Sequence, residues 1–268
     1  MIKRLAMTAV ILLAAAPAFA ARYVSLCPAT TEIIFALGAG SELCGVSRYC
    51  DYPPEAAYKE KIGDFSQPNI EKIVSLKPDV VFCTGLEQTP SITSLRKLGL
   101  AVCVSDPKNL SELYSSILEI GRLTNRVEKA RTIVASMKQA VEQARQKAAA
   151  AEKRPKVFFE VWHDPLMAAG NGSFIDELIA IAGGSNVCAD TPRPYCRVSE
   201  EVVVQADPDV IVALSSIKTD KIYSRFGWEG LKAVKGKKVY NDIDENILCR
   251  PTPRLVEGLS QLQERILK

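Results

Sequence analysis

Short β-branched runs alternate with longer amphipathic stretches along most of this chain, the pattern of an α/β architecture with parallel strands. In the first half, apolar runs at 23–26, 45–47, 80–83 and 101–104 predict strands, with helices over 31–37, 70–76 and 91–98 between them. The middle is different. From 110 to 152 there is no proline, and Gly121 is the only glycine. Val127, Ala130, Val134, Met137, Val141, Ala144 and Ala148 recur at alternating steps of three and four, one apolar stripe on a helix whose other faces carry Lys and Arg. From Val127 to Ala148 such a helix extends on the order of 30 Å, enough to cross from one domain to another. Arg154-Pro155 ends it. The alternation then resumes, with strands expected at 156–161, 187–188, 210–213 and 239–240 and helices over 174–182, 199–205 and 255–267. The expected fold is α/β: two Rossmann-like lobes with parallel central sheets, an N-terminal lobe at 21–108 and a C-terminal lobe at 155–268. One long rigid helix within 109–154 joins them.

An internal repeat supports two similar lobes. Residues 71–82 (EKIVSLKPDVVF) align without gaps on 201–212 (EVVVQADPDVIV). In each, an acidic residue opens a short helix, Pro-Asp turns the chain and a buried strand follows. A common helix-turn-strand unit also explains that much, but Gly40-Ser41-Glu42-Leu43-Cys44 echoes Gly184-Ser185-Asn186-Val187-Cys188, and Tyr49-Cys50 and Tyr195-Cys196 follow them. Glu71 and Glu201 thereby share one register in the first turn of a helix. The helix dipole alone favours a carboxylate there. A pseudo-twofold relation also presents them as two prongs suited to basic residues on a symmetric partner.

Composition and charge narrow the function. The 268 residues are 47 % hydrophobic and 24 % charged, with a net charge of +3, too small for a polybasic nucleic-acid binder. Lys3 and Arg4, an apolar run over 6–16, Pro17 and Ala18-Phe19-Ala20 form a secretory signal peptide over 1–20, with cleavage expected after Ala20. The mature protein is then expected to be nearly neutral and periplasmic. Export gives the eight cysteines an oxidising compartment, so disulfides are the default, with 105 full pairings among them. No Cys-x-x-Cys spacing signals a zinc ribbon or a thioredoxin motif.

Two such lobes enclose a cleft, and in open parallel sheets ligands bind beyond the carboxyl ends of the strands. The residues that follow predicted strands include Tyr49, Cys50 and Asp51 from the first lobe, then Trp162, His163 and the 244–250 loop from the second, with Tyr195 on another loop. This rim is rich in aromatics although they make up 7 % of the chain, which suits a large, partly apolar small molecule. Trp162 and Phe65 are equally explicable as caps on the lobe cores. Catalytic motifs are missing: there is no Gly-x-Ser-x-Gly elbow or Walker loop, and Gly38-Ala39-Gly40 follows a predicted helix instead of a strand. His163, the single histidine, leaves a Cys/His pair as the one nucleophilic alternative.

The stretches 23–32 (YVSLCPATTE), 45–54 (GVSRYCDYPP), 69–79 (NIEKIVSLKPD) and 250–254 (RPTPR) carry a resemblance across nearly the whole mature chain. The sequence resembles the periplasmic substrate-binding proteins of cobalamin-type ABC importers, in the cluster that also binds haem and iron-siderophores. That resemblance implies two lobes bridged by a rigid helix, a monomer that is not an enzyme, no intrinsic cofactor and cobalamin as the transported ligand. It also implies a membrane permease dimer as partner, whose arginines receive Glu71 and Glu201. The family's aromatic cradle falls on Tyr49, Phe65 and Tyr195, the last two standing where relatives have tryptophan. Its C-terminal side falls on Asn246 and Arg250, with Trp162 as a neighbouring compensation. The clustered cysteines and His163 add the expectation that a soft ligand meets the metal of a bound corrinoid or haem. A haem or siderophore carrier is the alternative of the same class, and a periplasmic Cys/His enzyme that of another.

Overall fold

The computed structural model describes residues 21–268; the expected signal peptide lies outside them. In the N-terminal lobe β1 (Tyr23–Ser25) leads into α1 (Pro28–Ala36), then β2 (Leu43–Val46), α2 (Ile70–Ser75), β3 (Val80–Cys83), α3 (Thr89–Lys97) and β4 (Val102–Val104). The four strands are all parallel, in the order β2-β1-β3-β4. Alternation along the strands sends Val24, Val81 and Cys83 to one face, against Ile73, Ile92 and Leu95, and Tyr23 and Phe82 to the other, against Ile33 and Ile34 of α1. Pro28 opens α1 where a missing N–H costs nothing, and the Asn69 carboxamide caps α2 by accepting from the Lys72 amide at 2.9 Å.

The segment expected as one linker helix is two. After α4 (Leu110–Leu123) the chain turns through Asn125, which is left-handed at φ 55°, and α5 (Val127–Ala149) runs back against it. Gly121 sets the closeness of that pair: a Cβ there would lie 2.4 Å from the Ala130 Cβ. The middle of the stripe on α5 packs as its spacing predicts, while Val127 at its start is exposed and Ala148 at its end only partly covered. Ala130, Val134, Met137, Val141 and Ala144 are buried in a core that continues into the C-terminal lobe, so α5 is a strut with apolar contacts at both ends.

The C-terminal lobe follows as β5 (Lys156–Trp162), β6 (Met167–Ala169), α6 (Phe174–Ile181), β7 (Ser185–Asn186), β8 (Tyr195–Arg197), α7 (Glu200–Ala206), β9 (Val210–Ala213), α8 (Thr219–Tyr223), α9 (Lys232–Lys235), β10 (Val239–Tyr240), α10 (Glu245–Cys249) and α11 (Leu255–Leu267). Its sheet runs β10-β9-β5-β6-β8, with β7 also paired to β5. It is mixed, not parallel as expected: β6 is antiparallel to both β5 and β8. The turn between β5 and β6 is too short for a parallel crossover, which needs a dozen residues or so, and Met-Ala-Ala carries no β-branched signal.

The repeat is exact in its backbone chemistry. Lys77 and Asp207, at matching positions, are both left-handed, at φ 47° and 45°. Two residues on, the Asp79 carboxylate accepts from the Arg22 amide and the Asp209 carboxylate from the Lys156 amide, each at 2.8 Å. Each aspartate therefore ties the repeat to the strand that opens its lobe.

The eight cysteines carry free thiols, so the expected disulfides are not formed in this structure. Several thiols are held locally instead. Thr31 donates to Cys50 Sγ at 3.1 Å, and Cys44 donates to the Tyr23 carbonyl at 3.2 Å.

A candidate binding cleft between the lobes

A cavity of about 640 Å³ lies where the lobes face each other. The N-terminal lobe lines it with Cys27, Phe65, Thr84 and the 105–108 turn; the C-terminal lobe supplies Phe174, Arg193, Tyr195, Cys249 and Pro251. Phe65 and Tyr195, one from each lobe, are two of the three aromatics that the resemblance placed in a cradle, and both line this cavity, whereas Tyr49 does not. Each is held from behind. The buried Gln88 side chain donates to the carbonyls of Phe65 (2.8 Å) and Leu26 (3.0 Å) and accepts from the Thr84 amide (2.9 Å). Gly170 lets the Tyr195 loop approach: its amide donates to the Pro194 carbonyl at 2.8 Å, and a Cβ there would sit 2.5 Å from the Arg193 carbonyl oxygen.

The wall is mostly apolar, with polar groups at a few points. Lys108 pairs with Asp106 at 2.7 Å, and Arg193 contributes a second cation from the other lobe. Burial pushes the Cys27 thiol up to about 11, and desolvation, with Glu245 and Asp244 nearby, does the same for Cys249. Tyr195 is raised too, by desolvation and by Cys249. These groups are neutral donors at ordinary pH. Among the described residues no cluster of three His, Cys, Asp or Glu forms a metal site of the protein's own.

Beside the cleft an ion-pair cluster joins the lobes. Glu32 on α1 is almost fully buried and accepts from Arg250 Nη1 at 3.0 Å and from Arg254 Nε at 2.9 Å. Arg250 also donates to both Asp51 oxygens, at 2.6 and 3.2 Å, and Arg254 stacks 3.5 Å from the Tyr52 ring centroid. Burial opposes the Arg250 charge, but hydrogen bonds to Asp51 and Glu32 outweigh it and raise its pKa further. The Arg250 hydrogen bond likewise holds Asp51 below the usual carboxylate range. Arg250 and Asp51, expected in the ligand cradle, are thus bonded to each other across the lobes.

The remaining candidates are placed as follows. Tyr49 is exposed and Cys50 is buried in the N-terminal lobe between Thr31 and Ser47, and neither lines the cavity. Asn246 donates from its side chain and its backbone to Asp244, within the turn that starts α10. Trp162 and His163 line a different cavity, of about 450 Å³, with Asp164, Ser216, Ile217, Lys218 and Lys221. A bulge in the β5–β6 pairing between Glu160 and Trp162, next to the antiparallel β6, accompanies this departure. His163 Nδ1 is 2.7 Å from Arg225, whose guanidinium only donates, so that nitrogen is an acceptor and not a free metal ligand. Glu71 and Glu201 are both exposed in the first turns of α2 and α7, and the Ser199 hydroxyl holds the Glu201 carboxyl below its ordinary value. Gln88, Arg193, Lys108 and Glu32 were not singled out from the sequence.

Comparison with known proteins agrees with this geometry. The family model described as periplasmic binding protein matches residues 24–245. An uncharacterised ABC transporter substrate-binding lipoprotein of Bacillus subtilis, YvrC, is 35 % identical, covering 91 % of this chain and 79 % of its own. The vitamin B12-binding protein of Vibrio cholerae is 31 % identical over 93 % of this chain and 90 % of its own. Among solved structures, the periplasmic haem-binding protein RhuT of Roseiflexus sp. RS-1 superposes with a TM-score of 0.82 at 27 % identity, covering 93 % of this chain and 98 % of that one. By the match to that family model over most of its length, in keeping with its two lobes and bridging helix, the chain belongs to the periplasmic binding protein family.

Proposed function

We propose that the protein captures a corrinoid of the cobalamin type in the inter-lobe cleft and delivers it unaltered to an ABC importer. The observation that carries this reading is the pairing of Phe65 and Tyr195, one aromatic from each lobe, across a single cavity of about 640 Å³. Two flat apolar side chains, one contributed by each lobe, suit a large macrocycle, with polar groups at its edge fixing orientation. The 31 % identity to a vitamin B12-binding protein supports the same choice.

Delivery rests on Glu71 and Glu201. Both carboxylates are exposed on helices that the internal repeat relates, and they would meet arginines on the two subunits of a permease dimer. The protein acts in this reading as a periplasmic monomer, a carrier rather than an enzyme.

Haem is the second reading, favoured by Arg193 and by Lys108, one from each lobe, where carboxylates of a tetrapyrrole would find charge, Lys108 after exchanging Asp106 for the ligand. Gel filtration after mixing with cyanocobalamin, haemin or a ferric siderophore separates these. Colour that co-elutes with the protein only for cyanocobalamin supports the proposal, and colour retained only for haemin overturns it.

A further inference from the structure

We propose that the C-terminal lobe holds a second binding site, for a planar aromatic carboxylate, in the cavity between Trp162 and the Lys218–Lys221 turn. This cavity shares no lining residue with the cleft, so the inference does not depend on which cargo the cleft takes.

The site is built from within the lobe. Glu160, fully buried on β5, receives a bidentate pair of hydrogen bonds from Arg225 at 2.6 and 2.7 Å. Arg225 is itself buried, lies 4.5 Å from the Trp228 ring centroid and bonds His163 Nδ1 at 2.7 Å. An arginine cannot accept, so His163 Nδ1 is the acceptor and the proton of the neutral ring resides on Nε2. The donor left free is on a ring that lines the cavity. A buried ion pair is costly to desolvate, and this one fixes both the tautomer and the orientation of a half-exposed histidine.

The other lining groups define the ligand. Lysine ion pairs in the described residues involve Lys72, Lys108 and Lys232, which leaves the Lys218 and Lys221 ammoniums unpaired. Asp164 is the one carboxylate in the lining, beside two lysines that make no ion pair among the described residues, so a carboxylate ligand has two cations to meet. Ser216 already donates to Glu245 at 2.8 Å. Trp162 is 58 % exposed, yet its Nε1 is held by the Asp164 carbonyl at 2.8 Å, so the indole is a fixed apolar surface in a lining that also includes the buried Ile217. Cationic and N–H donors in one lining with a flat apolar indole suit an aromatic ring that bears a carboxylate.

Trp162 also supplies the readout, because Trp228, the other tryptophan, is fully buried. Tryptophan fluorescence is titrated with benzoate, with neutral benzamide and with inorganic phosphate. The expected result is a saturable response to benzoate that disappears in Trp162→Phe and shifts to about tenfold or more higher concentration in Lys218→Gln/Lys221→Gln, whose melting curve matches the wild type. Benzamide is expected to bind at least about tenfold more weakly. No saturable response to benzoate overturns the site. So does an equal response to benzamide, or a response that survives Trp162→Phe. Phosphate acting as well as benzoate would overturn the aromatic part of the assignment.

Discussion

Arg250 Nη1 lies 3.0 Å from Glu32 Oε1, a bond between residues 218 positions apart that joins the two lobes. Two of the stretches that carried the family resemblance, 23–32 and 250–254, thus meet in space, with Arg254 completing the pair of guanidiniums on one buried carboxylate. Removing that carboxylate leaves Arg254 without an ion-pair partner and Arg250 with only the exposed Asp51. Glu32→Gln is expected to destabilise the protein by about 3–5 kcal/mol, whereas Asp51→Asn, whose side chain is 61 % exposed, is expected to cost less than about 1 kcal/mol. Chemical denaturation of both variants checks this ordering.

The same cluster responds to acid. Asp51 is held below the usual carboxylate range by Arg250, so its folded pKa lies under the unfolded value of about 3.9. Its contribution is therefore present above about pH 4 and is lost as pH falls through the folded pKa. Thermal melts of wild type and Asp51→Asn are expected to differ by a constant small amount near neutral pH and to converge in stronger acid.

Cleft thiols should be sluggish. With a pKa of about 11, roughly one Cys249 in a thousand is thiolate at pH 8, against about a quarter of ordinary thiols. Iodoacetamide labelling of Cys249, exposed at the cleft surface, is expected to be at least tenfold slower than that of a model thiol and to rise with pH beyond 9. Because a raised thiol pKa disfavours the folded state once unfolded thiols ionise, stability is expected to decline as pH rises through about 8.5.

Docking is separable from capture. Glu71→Ala/Glu201→Ala is expected to leave cargo affinity and melting temperature unchanged, since both side chains are exposed, while abolishing stimulation of the permease ATPase. Undiminished stimulation would remove the two glutamates from the interface.

Much of this was legible in the sequence because it is periodic or repeated. The stripe from Ala130 to Ala144 packs as its spacing demands, although Val127 before it is exposed, and the Pro-Asp repeat reappears as two aspartates bonding two strand amides. Phe65 and Tyr195 were found through the resemblance, and their placement bears on it directly. What stayed hidden depends on distant contacts. Nothing local marks Glu32 as the partner of Arg250, or Gln88 as the support of Phe65. Trp162 and His163 followed a strand end as expected, but that rule assumes a parallel sheet. The antiparallel β6 and the adjacent bulge accompany their placement at a different cavity. The linker divided at Asn125, where no proline and only a distant glycine warned of a turn.

Equilibrium titration of the purified protein with cyanocobalamin, beside Phe65→Ala/Tyr195→Ala, tests the central claim most directly. Saturation at one corrinoid per chain in the wild type, with affinity lowered by about a hundredfold or more in the double variant, is the predicted result. Failure of the wild type to saturate, or a double variant that binds as tightly, would contradict a corrinoid held between these two rings.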